Sequence, residues 1–195
     1  MAKIDSPKIK REIKDWLTPD ELEQLIAAAA NHGELFTVIW LSMTAMRIGE
    51  AGEVRWRDVD LTGGTILIRC GKTNAAARRI AMTSDLLAHV QRHLQRQQER
   101  GLAGPDTPVF CTRHGNPIGE QQANRTLKRL ATRAGIEKRV SCHTLRRSWG
   151  MHAITRISIE AVAAHLGHAD PSTTAAHYAR VQFAQVEAEI RAAFG

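Results

Sequence analysis

One pair of β-rich runs most constrains the fold of this chain, because the other patterned stretches have helical spacing. The runs TILIR (65–69) and RRIAM (78–82) are joined by CGKTNAAA, whose Gly and Asn favour a turn. This arrangement predicts a β-hairpin with a mobile turn. The sequence therefore predicts a mostly α-helical fold with a small antiparallel β-hairpin sheet.

The first helix has the clearest start signal. Thr18 is placed as its N-cap, Pro19 suits the first turn, and Glu21 completes a capping box. A second helix is predicted over 34–45, ending near Arg47, and a short third helix over 50–55. Later helices are predicted over 84–100, 120–134, 143–154, 158–166, 172–177 and 182–194, with a short extended segment at 109–112.

Length and composition indicate one domain. The chain has 195 residues, of which 43% are hydrophobic, so it is long enough for one core and too short for two domains with linkers. Residues 1–17 are polar and basic and are interpreted as an arm or linker, and residues 18–195 as the domain. The apolar stretches are too short to cross a membrane, and the N-terminus lacks the apolar core of a signal peptide. Three scattered cysteines without CxxC spacing argue against a disulfide framework and a structural zinc site, so a reduced cytoplasmic protein is predicted.

The charge points to a polyanionic partner. The formal net charge is +7, and residues 121–156 alone hold nine Lys and Arg against the single acid Glu137. In the predicted helix 120–134 an apolar stripe lies opposite a basic one, formed by Arg125, Lys128, Arg129 and Arg133. Most charged stripes are simply solvated. With so few acids nearby, a helix that follows a phosphate backbone is slightly favoured.

Several reactive side chains occur in short motifs, each of which has an ordinary explanation. Tyr178 is the single tyrosine and would usually serve packing. His143 and Arg146 lie three residues apart in HTLRR, as Arg47 and Glu50 do in TAMRIGE, and both pairs are compatible with plain helix-surface contacts. Histidines also occur at 165, 168 and 177, but no HExxH motif or carboxylate cluster accompanies them, which argues against a metal site.

Taken together and in this order, the motifs resemble the catalytic domain of the tyrosine recombinases, the phage integrase family. The resemblance runs from about residue 17 to 194 and depends on TAMRIGEAGEVRWRDVD, GKTNAAARRI, HTLRRSWG and LGHADPSTTAAHY. The family pattern is an Arg, a hairpin Lys, a His-x-x-Arg pair, a His after Leu-Gly, and a Tyr about ten residues later. Each of these positions is occupied by the expected residue type.

The resemblance implies a role for each matching residue. Tyr178 matches the nucleophile, and Arg47 and Arg146 match the two arginines that hold the scissile phosphate. The remaining catalytic positions are matched by His143, which handles the tyrosine proton, His168, which donates to a nonbridging oxygen, Lys72, which protonates the leaving 5′ oxygen, and Glu50, which orients the site. Arg147 joins the basic stripe as a DNA-binding residue. No metal ion or cofactor is implied.

The implied function is site-specific DNA recombination through a covalent 3′-phosphotyrosine. The implied partners are double-stranded DNA, further copies of the chain in a tetramer that exchanges the C-terminal helix, and accessory DNA-bending proteins. Two alternatives stay open: a type IB topoisomerase-like enzyme that rejoins the same strand, and a catalytically idle DNA-binding regulator. The family's usual N-terminal helical domain does not fit into residues 1–17, so the chain is either a fragment of a longer integrase or a compact member.

Overall fold

The architecture comes from a computed structural model that describes residues 16–30, 34–69 and 77–168. The helices are α1 (Pro19–Ala30), α2 (Leu35–Thr44), α3 (Ile48–Glu53), α4 (Ser84–Glu99), α5 (Glu120–Arg133), α6 (Cys142–Ala153) and α7 (Ile159–Leu166). The strands are β1 (Val59–Asp60), β2 (Thr65–Ile68) and β3 (Arg78–Ala81), and a 3₁₀ turn, Trp56–Asp58, precedes β1. The mostly helical fold with a small antiparallel sheet is therefore confirmed.

The sheet is a three-stranded antiparallel meander in the order β1-β2-β3. Ile66 pairs with Ile80 at its centre, and Ile68 pairs with Arg78 where β2 and β3 run toward their connection. Strand β1, which the sequence patterns did not predict, has only two residues and pairs Val59 with Ile66. The segment predicted to be extended at 109–112 forms one isolated bridge, between Cys111 and Pro117, rather than a strand.

Two helix boundaries differ from the prediction for local reasons. Helix α2 ends at Thr44 rather than near Arg47, because Ala45 adopts the left-handed conformation with φ of 50°. Helix α3 begins at Ile48 rather than Glu50, because the Glu50 carboxylate accepts a hydrogen bond from the backbone N–H of Arg47 at 2.9 Å and so caps the first turn. The predicted capping box of α1 is confirmed: the Thr18 N–H donates to Glu21 and the Glu21 N–H donates to Thr18 Oγ1.

The core lies between the helices and one face of the sheet. Its largest fully buried side chains include Trp40, Phe110, Leu25, Ile66, Ile80, Leu127 and Leu130. A second, smaller cluster joins Ala45, Met151, Val162 and Leu166, and thereby fixes the end of α2 against α6 and α7. In the described part of the chain no helix is long and apolar enough to cross a membrane. Both cysteines described, Cys111 and Cys142, are free.

Residues 1–15 of the predicted arm (1–17) and the predicted helices at 172–177 and 182–194 lie outside the described residues.

Candidate active site

The C-terminal end of α7 organises the candidate site. The carbonyl groups of three consecutive residues, His165, Leu166 and Gly167, each accept a hydrogen bond from a different arginine. The donors come from β3, from α6 and from the turn between α2 and α3. Carbonyls at a helix C-terminus lack intrahelical partners and carry partial negative charge, so they attract guanidinium groups. Residues far apart in the sequence are thereby brought to one helix end.

Arg146 is the buried member of this group. It lies on α6, is 7% exposed, and donates to the carbonyls of Ala45 at 2.6 Å and Leu166 at 2.5 Å. One of its Nη atoms also lies 3.3 Å from Nε2 of His168. Because arginine can only donate, Nε2 of His168 is the acceptor in this contact. Two residues singled out from separate motifs are therefore in direct contact.

Arg47 is the exposed arginine of the site. It stands between α2 and α3, and its guanidinium donates to Glu50 at 3.0 Å and to the Gly167 carbonyl at 3.1 Å. About half of the side chain, 46%, faces solvent. Its position is fixed from two sides while one surface stays open to a ligand. Such an arrangement suits the binding of an anionic group that arrives from solution.

Glu50 is held as a carboxylate. Burial alone would raise its pKa, but hydrogen bonds from the Arg78 guanidinium and the Arg47 N–H, together with the charge of Arg78, outweigh burial and lower the pKa to about 2. The side chain is 12% exposed. Glu50 therefore carries its full negative charge at neutral pH and balances part of the surrounding arginine charge.

Arg78 is the residue of this cluster that sequence reasoning missed. It is the first residue of β3, and its side chain is 12% exposed. Its Nη atoms donate to both oxygens of Glu50 at 3.0 and 2.8 Å, and its Nε donates to the His165 carbonyl at 2.9 Å. A signal was present in the sequence: Arg78 is two residues from Ile80 in a strand, so it shares the inward face and requires a buried partner.

His165, near the end of α7, contacts both α6 and α2. Its ring stacks on Trp149 with a centroid distance of 3.9 Å, and Nε2 donates to the Thr44 carbonyl at 3.0 Å. Burial lowers the pKa of this histidine, and the charges of Arg78 and Arg146 act in the same direction. Trp149 itself is half-buried and also packs against the small cluster that contains Ala45 and Met151.

His143, Lys72 and Tyr178 complete the predicted set. His143 lies in the first turn of α6, one turn before Arg146, and is exposed. Lys72 and Tyr178 lie outside the described residues. In the described part of the chain, Arg47 contacts Glu50 and Arg146 contacts His168, and both arginines bind carbonyls at the end of α7. This part of the chain also carries His143 on the same helix as Arg146. No group of three or more His, Cys, Asp or Glu side chains that could hold a metal ion occurs within it.

The basic stripe lies on α5. Its four members, Arg125, Lys128, Arg129 and Arg133, are all exposed, whereas the opposite face is buried. A groove of about 740 Å³ beside the stripe is lined by charged residues that include Arg125, Lys128, Lys138 and Arg139. Arg147, the remaining predicted DNA-binding residue, is half-buried on α6.

The premise that few acids lie near the basic stripe of α5 was wrong. The sequence around α5 holds almost no acids, yet Arg129 forms an ion pair with Glu34, which directly precedes α2. Lys138 is similarly paired with Glu21 at 2.8 Å. Acidic partners come from distant parts of the chain, so a local count of charges overstates the positive field of this face.

Comparison with known proteins agrees with this geometry. The family model described as "Phage integrase family" matches residues 15–185. The chain belongs to the phage integrase family. The match includes every residue of the predicted catalytic set.

The curated proteins that this chain is similar to include tyrosine recombinases. The chain is 29% identical to tyrosine recombinase XerD of Staphylococcus haemolyticus over an alignment 192 residues long, which covers 94% of this chain and 64% of the relative. It is 30% identical to a tyrosine recombinase of Thermosipho africanus, covering 89% of this chain and 60% of the relative. The chain thus spans about three fifths of the length of the curated relatives it matches.

Solved recombinase structures share the fold. A crystal structure of XerA recombinase superposes with a TM-score of 0.77 at 24% identity, covering 92% of this chain and 66% of that one. The post-cleavage complex of XerH site-specific recombinase with palindromic difH substrate gives a TM-score of 0.76 at 21% identity, covering 95% of this chain and 55% of that one.

Proposed function

We propose that this chain is the catalytic domain of a site-specific DNA recombinase, spanning residues 18–195, with Tyr178 as its nucleophile. The observation that carries the proposal is the convergence of Arg47, Arg146 and His168 at the end of α7. These residues come from three separate motifs, and the first of them lies about a hundred positions before the other two in the sequence. Their meeting in one place supports a common task, and family membership supports strand exchange as that task.

The site suits a phosphodiester in the transition state of displacement. Negative charge then concentrates on the nonbridging oxygens, and cationic donors fixed in advance stabilise it without reorganising. Arg146 is fixed in advance by two backbone carbonyls, which hold its guanidinium without neutralising it. Arg47 is fixed in advance by the Gly167 carbonyl together with the Glu50 carboxylate. An imidazole that accepts from Arg146 through Nε2 carries its proton on Nδ1, and in that tautomer His168 would donate to an oxygen without a positive charge.

The proposed step is in-line displacement at phosphorus. The Tyr178 Oη forms a bond to phosphorus while the bond from phosphorus to the 5′ oxygen breaks, leaving a 3′-phosphotyrosine and a free 5′-hydroxyl. His143 accepts the phenol proton, and Lys72 supplies a proton to the departing oxygen. The 5′-hydroxyl of a partner strand then reverses the step, and two rounds exchange the duplexes. Because the covalent intermediate retains the phosphodiester bond energy, rejoining needs no ATP, and we expect strand transfer to persist in EDTA.

Double-stranded DNA is the proposed partner, and the exposed cations of α5 are the proposed phosphate contacts. We also propose assembly of a tetramer on DNA through exchange of the helix predicted over 182–194, with accessory DNA-bending proteins where the site requires them. Deleting residues 182–195 should then abolish assembly on DNA. Unchanged assembly and cleavage would remove this part of the proposal. The reaction requires access to DNA, so a cytoplasmic protein is expected.

Covalent trapping tests the central claim. The protein is incubated with sheared, nicked genomic DNA, adducts that resist denaturant are isolated, and the attached ends are sequenced. We expect adducts at a defined site from the wild type and none from Tyr178→Phe. Adducts that persist in the Phe variant would show that Tyr178 is not the nucleophile.

The same experiment separates the alternatives. Tight, salt-dependent DNA binding without any adduct favours the catalytically idle regulator. Where adducts form, a plasmid carrying two copies of the recovered site distinguishes the enzymes: recombined product supports the recombinase, and relaxed but unrecombined plasmid supports the topoisomerase-like reaction.

A further inference from the structure

Arg78 makes contacts with α3 and α7 that its place in strand β3 does not require. Its guanidinium binds both oxygens of Glu50 in the two-pronged geometry that arginine and carboxylate prefer. Its remaining Nε proton is directed to the carbonyl of His165, one of the carbonyls at the end of α7. One largely buried side chain therefore joins the sheet, the first turn of α3 and the end of α7.

The Glu50 carboxylate connects Arg78 to Arg47. Oε1 accepts from Nη1 of both arginines, each at 3.0 Å, and Oε2 accepts from Arg78 and from the Arg47 N–H. Since Arg78 occupies both oxygens, Arg47 reaches Glu50 through one Nη atom and turns the other toward Gly167. Without Arg78, the carboxylate would be available for a two-pronged pair with Arg47, which would draw that guanidinium away from a bound phosphate.

The backbone beside α7 is closely fitted to Arg78. A Cβ built at Gly167 would lie 2.7 Å from Arg78 Nη1 and 2.8 Å from its Cζ. The guanidinium therefore packs directly over the residue whose carbonyl holds Arg47. Any shift of Arg78 acts on both anchors of Arg47, the carboxylate and the Gly167 carbonyl.

We propose that Arg78 is a positioning residue for the phosphate-binding site, acting through Glu50 to hold Arg47 in the orientation that receives the scissile phosphate. The inference rests on the proposed function, because it assigns Arg47 to phosphate binding. Arg78 itself does not touch the reacting atoms in this scheme. It sets the direction of a group that does.

The test uses single-turnover cleavage of a nicked duplex that carries the recovered site. Arg78→Gln is expected to slow cleavage by about 100-fold, since a displacement of about 1 Å at a reacting group costs roughly that much, with DNA affinity changed less than about threefold. The matched control is Arg79→Gln, the next residue of β3, which is exposed and bonded at 3.4 Å to Thr65 instead. Equal rates for Arg78→Gln and the control overturn the proposal.

A double-mutant cycle tests the route through Glu50. If Arg78 acts through that carboxylate, the rate losses of Glu50→Gln and Arg78→Gln overlap, and the double variant is about as slow as the slower single variant. If the rate losses of the two single variants instead multiply in the double variant, Arg78 does not act through Glu50. A duplex with sulfur in place of the 5′ bridging oxygen adds a second criterion, because a thiolate leaves without protonation. We expect that substrate to rescue Lys72→Ala but not Arg78→Gln, and rescue of Arg78→Gln would show that it serves the leaving group.

Measurements without DNA keep this proposal separate from the proposed function. Compared with the NMR spectra of the wild type, those of Arg78→Gln should show a shifted Arg47 Nε–H resonance and a higher titration midpoint for the Glu50 carboxyl. Arg79→Gln should leave both unchanged. Failure of the wild type to form any adduct would refute the proposed function. Unchanged Arg47 and Glu50 signals in Arg78→Gln would refute the positioning role. Where the variant is too unstable to study, Arg78→Lys, which retains the charge but not the two-pronged pair, replaces it.

Discussion

Ala45 and Gly167 both adopt left-handed backbone conformations, and each directs its carbonyl group to a different arginine of the candidate site. Ala45 has φ of 50° and accepts from Arg146 at 2.6 Å, and Gly167 has φ of 64° and accepts from Arg47 at 3.1 Å. Both residues directly follow a helix, α2 and α7 respectively. The way these two helices end therefore places the proposed phosphate-binding groups.

Ala45 should tolerate glycine but not a β-branched residue. Glycine relieves a left-handed strain of about 1 kcal/mol but removes a fully buried methyl group worth a similar amount, so Ala45→Gly should change the free energy of unfolding by less than about 1 kcal/mol. Ala45→Val should cost more than about 2 kcal/mol, because branching at Cβ conflicts with positive φ. Urea unfolding measures both. Ala164→Val on the exposed side of α7 is the control, with an expected loss of about 0.5 kcal/mol.

Gly167→Ala should impair the site beyond its cost in stability. Positive φ alone costs about 1 kcal/mol in any non-glycine residue, and the new Cβ also collides with Arg78. Gly135→Ala, after α5, is a matched control because φ is 69° there and nothing lies within 4 Å of the added Cβ. We expect Gly167→Ala to be the less stable variant and to cleave at least about tenfold more slowly than wild type at equal DNA occupancy, with Gly135→Ala unaffected in rate. Equal effects of the two variants would contradict this.

Local signals in the sequence predicted much of this structure. The capping box of Thr18 and Glu21 and the helical spacing of α4 to α7 depend on residues within a few positions of each other, so a single sequence shows them. The pair Arg47 and Glu50 was also visible, because residues three apart meet at the start of a helix.

Contacts between distant residues were not visible in the same way. Arg78 meets Glu50 across 28 positions and the His165 carbonyl across 87, and Arg129 meets Glu34 across 95. The carbonyls at the end of α7 leave no trace in residue identity, because every residue has one. The motifs therefore indicated the candidate residues of the site, while the anchors that orient them required the fold.

Glu50 should make stability depend on pH under acidic conditions. Its pKa is about 2 in the folded protein against an ordinary value of 4.5, so between these values the unfolded chain binds the proton more readily. Its stabilising contribution is complete above about pH 5 and is lost as the pH falls from about 4.5 toward 2. The difference in unfolding free energy between wild type and Glu50→Gln should narrow by about 1 kcal/mol from pH 7 to pH 3.5. A difference that stays constant over this range would show that Glu50 is not held as described.

His93 should make the stability of the fold depend on pH in a less acidic range than Glu50 does. Its ring stacks on Phe36 at a centroid distance of 3.5 Å, Nε2 donates to the Val109 carbonyl, and burial lowers its pKa from 6.5 to about 4. Below pH 6.5 the unfolded chain takes up a proton that the folded protein resists, so stability falls as the pH decreases toward 4. The contribution amounts to about 2 kcal/mol between pH 7 and pH 5.

His93→Phe isolates this contribution, because it keeps an aromatic ring beside Phe36 and cannot titrate. The variant should be less stable than wild type at pH 7, having lost the bond to Val109, but its stability should fall less steeply toward pH 5. The slope that remains reflects groups such as His165, whose pKa burial also lowers. Urea unfolding at half-unit pH steps provides the comparison, and identical slopes for the two proteins would count against a buried, neutral His93.

Because Arg129 is paired with Glu34, the cations of the basic stripe on α5 should contribute unequally to DNA binding. Lys128 is exposed beside the groove, so Lys128→Gln should weaken DNA binding and reduce the slope of log affinity against log salt by about 1. Arg129→Gln should have less effect, because Glu34 already offsets its charge. Glu34→Gln should strengthen binding by releasing that charge. Titrations of a labelled duplex at several salt concentrations test this order of affinities. If Lys128→Gln and Arg129→Gln lose equal DNA affinity and Glu34→Gln gains none, the ion pair does not limit the contact of α5 with DNA.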